Sequence, residues 1–119
     1  MDILCVTQRP DCWEALRPVF AAQGVTLRLL PALDAALADM AATPPALCLL
    51  DLDAAADLRA AVIRILTLNA AIHTAAVTDL DAAVFHDSME GLGMLMGLPR
   101  TPAAADIERL LSALRSVCA

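Results

Sequence analysis

Residues 46–53 read "ALCLLDLD", an apolar run that breaks off into two carboxylates, Asp51 and Asp53, separated by one leucine. Five consecutive apolar residues, 46–50, bounded by Pro44-Pro45 on one side and acids on the other, have the character of a strand buried on both faces. Such strands occur in parallel sheets whose two faces are covered by helices, so this stretch decides the fold class. It also raises the functional question. Asp51 is either a reactive group at the mouth of a site or the polar residue that ends a strand and caps the next turn.

The rest of the chain supports the parallel sheet. Further strands are expected at 2–6 ("DILCV"), 25–30 ("VTLRLL"), 73–77 ("HTAAV") and 93–97 ("GMLMG"). Between them lie amphipathic segments at 11–24, 32–42, about 55–69 and 79–91, and a last one at 102–117 closes the chain. Asp11 is the expected N-cap of the first helix, Gly24 its stop, and Pro18 a kink inside it. Thr78 or Asp79 is expected to cap the fourth helix. Five strands alternating with five helices give a single three-layer α/β/α domain over residues 1–119, flavodoxin-like, with strand order 2-1-3-4-5. In such sheets ligands sit beyond the carboxyl ends of the strands, near the point where the order reverses. The residues there are Thr7-Gln8-Arg9, Asp51-Leu52-Asp53, Thr78-Asp79 and Leu98-Pro99-Arg100.

Composition narrows the function classes. The 119 residues are 60% hydrophobic with a mean hydropathy of +0.68, largely through alanine. The longest charge-free run, Ile65 to Thr78, is too short to span a bilayer and carries His73 and threonines. No basic, then apolar, then small-residue leader is visible, so a cytoplasmic protein without membrane attachment is expected. The net charge is −6, and all eight basic residues are arginine, which leaves no basic face for nucleic acid. The four cysteines, Cys5, Cys12, Cys48 and Cys118, form no C-x-x-C pair and no metal-ligand spacing. Cys5 and Cys48 fall in buried strands, where cysteine acts as a small hydrophobe. His73, His86 and the methionines Met89, Met94 and Met96 read as bystanders or filler, and Trp13 reads as a packing residue.

At the four strand ends the chain resembles the receiver domains of two-component response regulators, over essentially its whole length. Asp51 stands where that family carries its phospho-accepting aspartate, and Thr78 where it carries the Thr or Ser that contacts the phosphoryl group. Pro99 follows the position of the family's lysine, Gly91 precedes that position by seven residues, and Pro10 matches a proline after the first strand. The departures are equally specific. Thr7 and Gln8 stand in place of the two acids that hold Mg²⁺, Leu98 replaces the lysine, and Leu95 takes the aromatic switch position. Phosphoryl transfer to a carboxylate needs cationic charge against the developing negative charge, and Mg²⁺ wants hard oxygen ligands in octahedral geometry.

The resemblance therefore implies a degenerate, stand-alone receiver-like module without a cofactor. It would act by binding a protein partner or a second copy through the surface of the fourth helix, fifth strand and fifth helix. Arg9 or Arg100 is expected to pair with Asp51 in place of the metal. The apolar, glycine-rich segment "SMEGLGMLMGLP" (88–99) on that surface fits an interface. The alternative is a functional phospho-acceptor at Asp51, with Mg²⁺ held by Asp51 and Asp53. A third reading is a small-ligand or thiol-transfer domain using Cys48 or Cys5.

Overall fold

A computed structural model describes residues 1–53 and 56–118. The sheet has five parallel strands in the order β2-β1-β3-β4-β5. They are β1 (Asp2–Thr7), β2 (Thr26–Leu30), β3 (Leu47–Asp51), β4 (His73–Val77) and β5 (Gly97–Leu98). The helices are α1 (Pro10–Glu14), α2 (Arg17–Ala22), α3 (Leu33–Ala42), α4 (Leu58–Leu68), α5 (Ala82–Ser88) and α6 (Ala104–Cys118). This is the flavodoxin-like arrangement expected from the strand–helix alternation.

The side-chain alternation of the strands makes two cores. Ile3, Cys5, Leu47 and Leu49 point to one face, where Trp13, Phe20, Ile107, Leu110 and Leu114 of α1, α2 and α6 cover them. Leu4, Val6, Cys48 and Leu50 point to the other, under Ala36, Met40, Val62, Ile65 and Phe85 of α3, α4 and α5. The central strands β1 and β3 are apolar at both parities because both of their faces are dry. Asp51 has the parity of Leu47 and Leu49 and pairs in register with Thr7 of β1.

Several boundaries differ from the sequence reading, each for a local reason. The first helix is two helices: the chain breaks at 15–16 and restarts so that Pro18 lies in the first turn of α2, where its missing N–H costs nothing. It begins at Pro10 with Arg9 as its N-cap, so Asp11 sits in the first turn rather than at the cap. The helix expected at 79–91 is α5, capped by Asp81, whose carboxylate accepts from the Val84 N–H at 2.9 Å, and neither Thr78 nor Asp79 caps it. The third strand–helix connection is capped by Asp57, which accepts from the Ala60 N–H, and not by Asp51. The expected start of that helix at Ala55 lies outside the described residues.

The fifth strand is the largest correction. Residues 93–96 are not strand, and the ladder with β4 is confined to Gly97 and Leu98, although the Leu95 N–H already donates to the Thr74 carbonyl at 2.7 Å and the Met96 carbonyl accepts from the Ala76 N–H at 3.3 Å. Gly93 has a φ of +66°, which takes the chain off the extended path. Gly97 itself is required by close packing. A Cβ there would lie 2.7 Å from the Thr78 Cγ2 and 3.4 Å from the Phe85 ring.

Candidate functional site

The carboxyl ends of β1, β3, β4 and β5 meet at one edge of the sheet, and Asp51 lies at its centre. The residue is only 5% exposed, so it is neither a solvated strand end nor an open nucleophile. Its carboxylate is surrounded by donors from β1 and α1. Oδ2 accepts from the Thr7 hydroxyl at 2.7 Å, the Trp13 indole N–H at 2.9 Å and Arg9 Nε at 3.0 Å. Oδ1 accepts from Arg9 Nη2 at 2.9 Å. The Arg9 contact is therefore bidentate, the planar fork against the planar carboxylate.

Local sequence explains each donor. Thr7 is the last residue of β1 and the register partner of Asp51. Its hydroxyl also accepts from the Arg9 backbone N–H at 2.9 Å, which fixes the turn that sends Arg9 back over the carboxylate. Trp13 comes one helical turn after Arg9 and is fully buried. A buried indole N–H needs an acceptor, and Asp51 supplies it. Sequence reading took Trp13 as packing alone. The signal it missed is a lone tryptophan placed directly after the loop that faces the strand-end acid.

Electrostatics follow from this geometry. Burial by itself pushes the Asp51 carboxyl up. Hydrogen bonds from Arg9, Trp13 and Thr7 and the Arg9 charge outweigh it and hold the group below its ordinary value of 3.8. Asp51 is thus an anion at neutral pH with its partner already in place.

The other expected site residues are arranged around this pair. Arg9 Nη1 donates to the Arg100 carbonyl at 2.8 Å. The Arg100 guanidinium turns away from Asp51, donating to the Leu52 carbonyl and to Asp79 Oδ2, both at 3.2 Å. Of the two arginines, Arg9 alone holds the carboxylate. Thr78 accepts from the Leu80 N–H at 3.1 Å and is occupied by its own turn. Gln8 and Asp53 are exposed. Leu98 is the last residue of β5 and not a loop residue; its side chain is buried in the core with Ile107. Pro99 and Arg100 follow it on the rim.

These residues do not fit a Mg²⁺ ion. Thr7 and Gln8 offer a hydroxyl and an amide where a hard cation needs carboxylates, and the Thr7 hydroxyl is spent on Asp51. Both Asp51 oxygens receive guanidinium N–H groups. Two unit positive charges ~4 Å apart repel by about 4 kcal/mol at an effective dielectric of 20, and a divalent ion roughly doubles that. Among the described residues no cluster of three His, Cys, Asp or Glu side chains could hold a metal.

No protein-family model matches the chain, and no curated protein matches it. Solved structures do. A two-component response regulator from Clostridium difficile superposes with a TM-score of 0.80 at 13% identity, covering 98% of this chain and 96% of that one. The N-terminal domain of a response regulator/sensory box/GGDEF protein from Carboxydothermus hydrogenoformans gives 0.78 at 15% identity, covering 98% and 96%. A CheY-like protein (tadZ) from Pseudomonas aeruginosa gives 0.73 at 15%, covering 96% and 92%. The fold is that of the CheY-like receiver domains.

Within that receiver fold, the face of α5 and β5 carries a sizeable cavity. It is a groove of about 1020 Å³ between α5, the 89–96 segment and the start of α6. Soft apolar side chains, Phe85, Met89, Met94 and Met96, line it together with the charged Asp79, Glu90, Arg100 and Arg109. A smaller cavity of about 300 Å³ adjoins it and shares Thr78, Asp79, Leu80, Met89 and Arg100 with the groove. No helix among the described residues is long and apolar enough to cross a membrane.

Proposed function

We propose that this chain is a degenerate receiver-like signalling module of the cytoplasm that works by protein–protein contact, without catalysis and without Mg²⁺-dependent phosphorylation of Asp51. One observation carries the proposal: the bidentate Arg9–Asp51 pair, closed by Thr7 and Trp13. Attack on a phosphoryl donor needs a free carboxylate oxygen and an external cation. Here Oδ2 already accepts three hydrogen bonds and Oδ1 faces a guanidinium. The pair holds the strand-end loops in one arrangement, so the module presents a constitutive surface. The groove face of α5, β5 and α6 is the surface we assign to a partner or to a second copy.

Thiol chemistry has little support. Burial raises the Cys48 thiol to about 12, and burial together with the Asp51 charge raises Cys5 well above its ordinary value. Neither forms a thiolate at neutral pH.

Incubation with acetyl phosphate and millimolar Mg²⁺, read by intact mass spectrometry, tests the proposal. The unmodified mass is the expected result. A stoichiometric phosphoryl adduct that Asp51→Asn abolishes would establish the phospho-acceptor reading instead.

A further inference from the structure

We infer that Arg100 is a positioning residue that carries the geometry of the Asp51–Arg9 pair to the wall of the groove, so that the closed pocket sets the shape of that wall in its single arrangement. The inference rests on the reading of the groove face as the working surface. The contacts form a continuous path. Arg9 is fixed on Asp51 by two hydrogen bonds and donates its remaining terminal nitrogen, Nη1, to the Arg100 carbonyl at 2.8 Å. That bond sets the backbone of the β5–α6 loop. From the same residue the Arg100 guanidinium reaches back to the Leu52 carbonyl after β3 and across to Asp79 after β4. Two guanidinium groups thus tie together the loops that follow β1, β3, β4 and β5.

The last link is steric. Asp79 belongs to the 78–80 turn, all three residues of which line both cavities. Thr78 Oγ1 is held by the Leu80 N–H, and its methyl lies over Gly97 next to the Phe85 ring. With a Cβ excluded at Gly97, the turn has one close-packed seat on β5. A shift of Asp79 therefore moves Thr78 against Gly97 and Phe85, and Phe85 and Met89 line the groove. The path does not use a swing of the Thr78 hydroxyl, which is already engaged. Because the Arg100–Asp79 pair is partly exposed, with side chains 33% and 71% accessible, it biases the turn and does not lock it.

Isotope-labelled methionine methyl groups read this path directly. Met89, Met94 and Met96 report on the groove, while Met40, in the core under α3, and Met1 at the terminus serve as internal references. Spectra are compared, without Mg²⁺ or phosphoryl donor, for Arg9→Gln, Arg100→Gln, Asp79→Ala and the Arg9→Gln/Arg100→Gln double variant. Each single variant is expected to shift the three groove methyls in a common direction. Arg9→Gln is expected to add little once Arg100 is replaced. Arg28→Gln, which breaks the 2.6 Å pair with Asp39, should leave the groove methyls in place.

Two results would overturn the relay: groove methyls that ignore Arg9→Gln, or shifts from Arg9→Gln that persist in full in the Arg100→Gln background. If Arg9→Gln unfolds, Asp79→Ala cuts the last link without touching Asp51, and unmoved methyls there overturn the relay as well. The readout is independent of phosphorylation, so an adduct at Asp51 would sink the proposed function and leave this test to stand or fall separately.

Discussion

Arg9→Ala is expected to lower the stability of the domain by about 3 kcal/mol at neutral pH, a large share of the ~5–15 kcal/mol typical of a folded domain. The substitution strands a carboxylate whose side chain is 2% accessible, while the arginine that leaves is 41% accessible. Removal of one partner of a fully buried pair costs about 3–5 kcal/mol. The half-exposed arginine and the surviving Thr7 and Trp13 bonds place this case at the lower end. The reverse change is milder. Asp51→Asn leaves a guanidinium that can turn to water and an amide oxygen that still accepts from Thr7 and Trp13, so a loss of about 1–2 kcal/mol is expected.

The pH dependence separates the two states of the pocket. In the native pocket the Asp51 carboxyl lies below its ordinary value. Its contribution is therefore fully present above that ordinary value and is lost as pH falls through the lower native one. In Arg9→Ala, burial acts on the carboxyl with less to oppose it, and the group moves up. The variant is then penalised most at neutral pH, and its deficit narrows as pH falls through the carboxylate range. Urea melts of both proteins at neutral and mildly acidic pH give the two differences. Equal deficits at both pH values would mean that Arg9 stabilises by packing alone.

Trp13 is the second large effect. Trp13→Ala is expected to cost about 3–5 kcal/mol, because it empties a fully buried site between α1 and the sheet. Trp13→Phe is the informative variant. It keeps most of the apolar contact and removes the N–H that donates to Asp51 at 2.9 Å, for an expected loss of about 1–2 kcal/mol. Coupling distinguishes the hydrogen bond from the ring: in the Asp51→Asn background, where the acceptor is no longer charged, Trp13→Phe should cost less. Full additivity in that double-mutant cycle would reduce Trp13 to a core residue.

The central strands could be read directly because they are dry on both faces. A run such as Leu47–Leu50 has few other homes than the middle of a covered parallel sheet, and its polar end marks the edge where the loops converge. That edge by itself brings Thr7, Arg9, Asp51 and Arg100 together. The outer strand could not be read so well. Residues 93–97 are as apolar as a strand, yet regular pairing is reached only at Gly97 and Leu98, with single backbone bonds from Leu95 and Met96 to β4 before it, because the positive φ of Gly93 and the seat of Thr78 on Gly97 shape this segment, both tertiary facts. Sequence also left open which arginine takes the carboxylate. The Thr7 hydroxyl, accepting from the Arg9 N–H, makes that choice through a two-residue turn. Trp13 was hidden for the opposite reason: its packing is so complete that its polar atom drew no attention.

The most direct measurement is a titration with Mg²⁺ followed by beryllofluoride, with amide spectra recorded by NMR and Asp51→Asn as the control. A pocket closed by Arg9 predicts no saturable change at Thr7, Asp51 or Thr78 at millimolar metal, and none on adding the phosphoryl mimic. Saturable shifts at those three residues that vanish in Asp51→Asn would contradict it, and would mean that Arg9 leaves the carboxylate when a cation arrives.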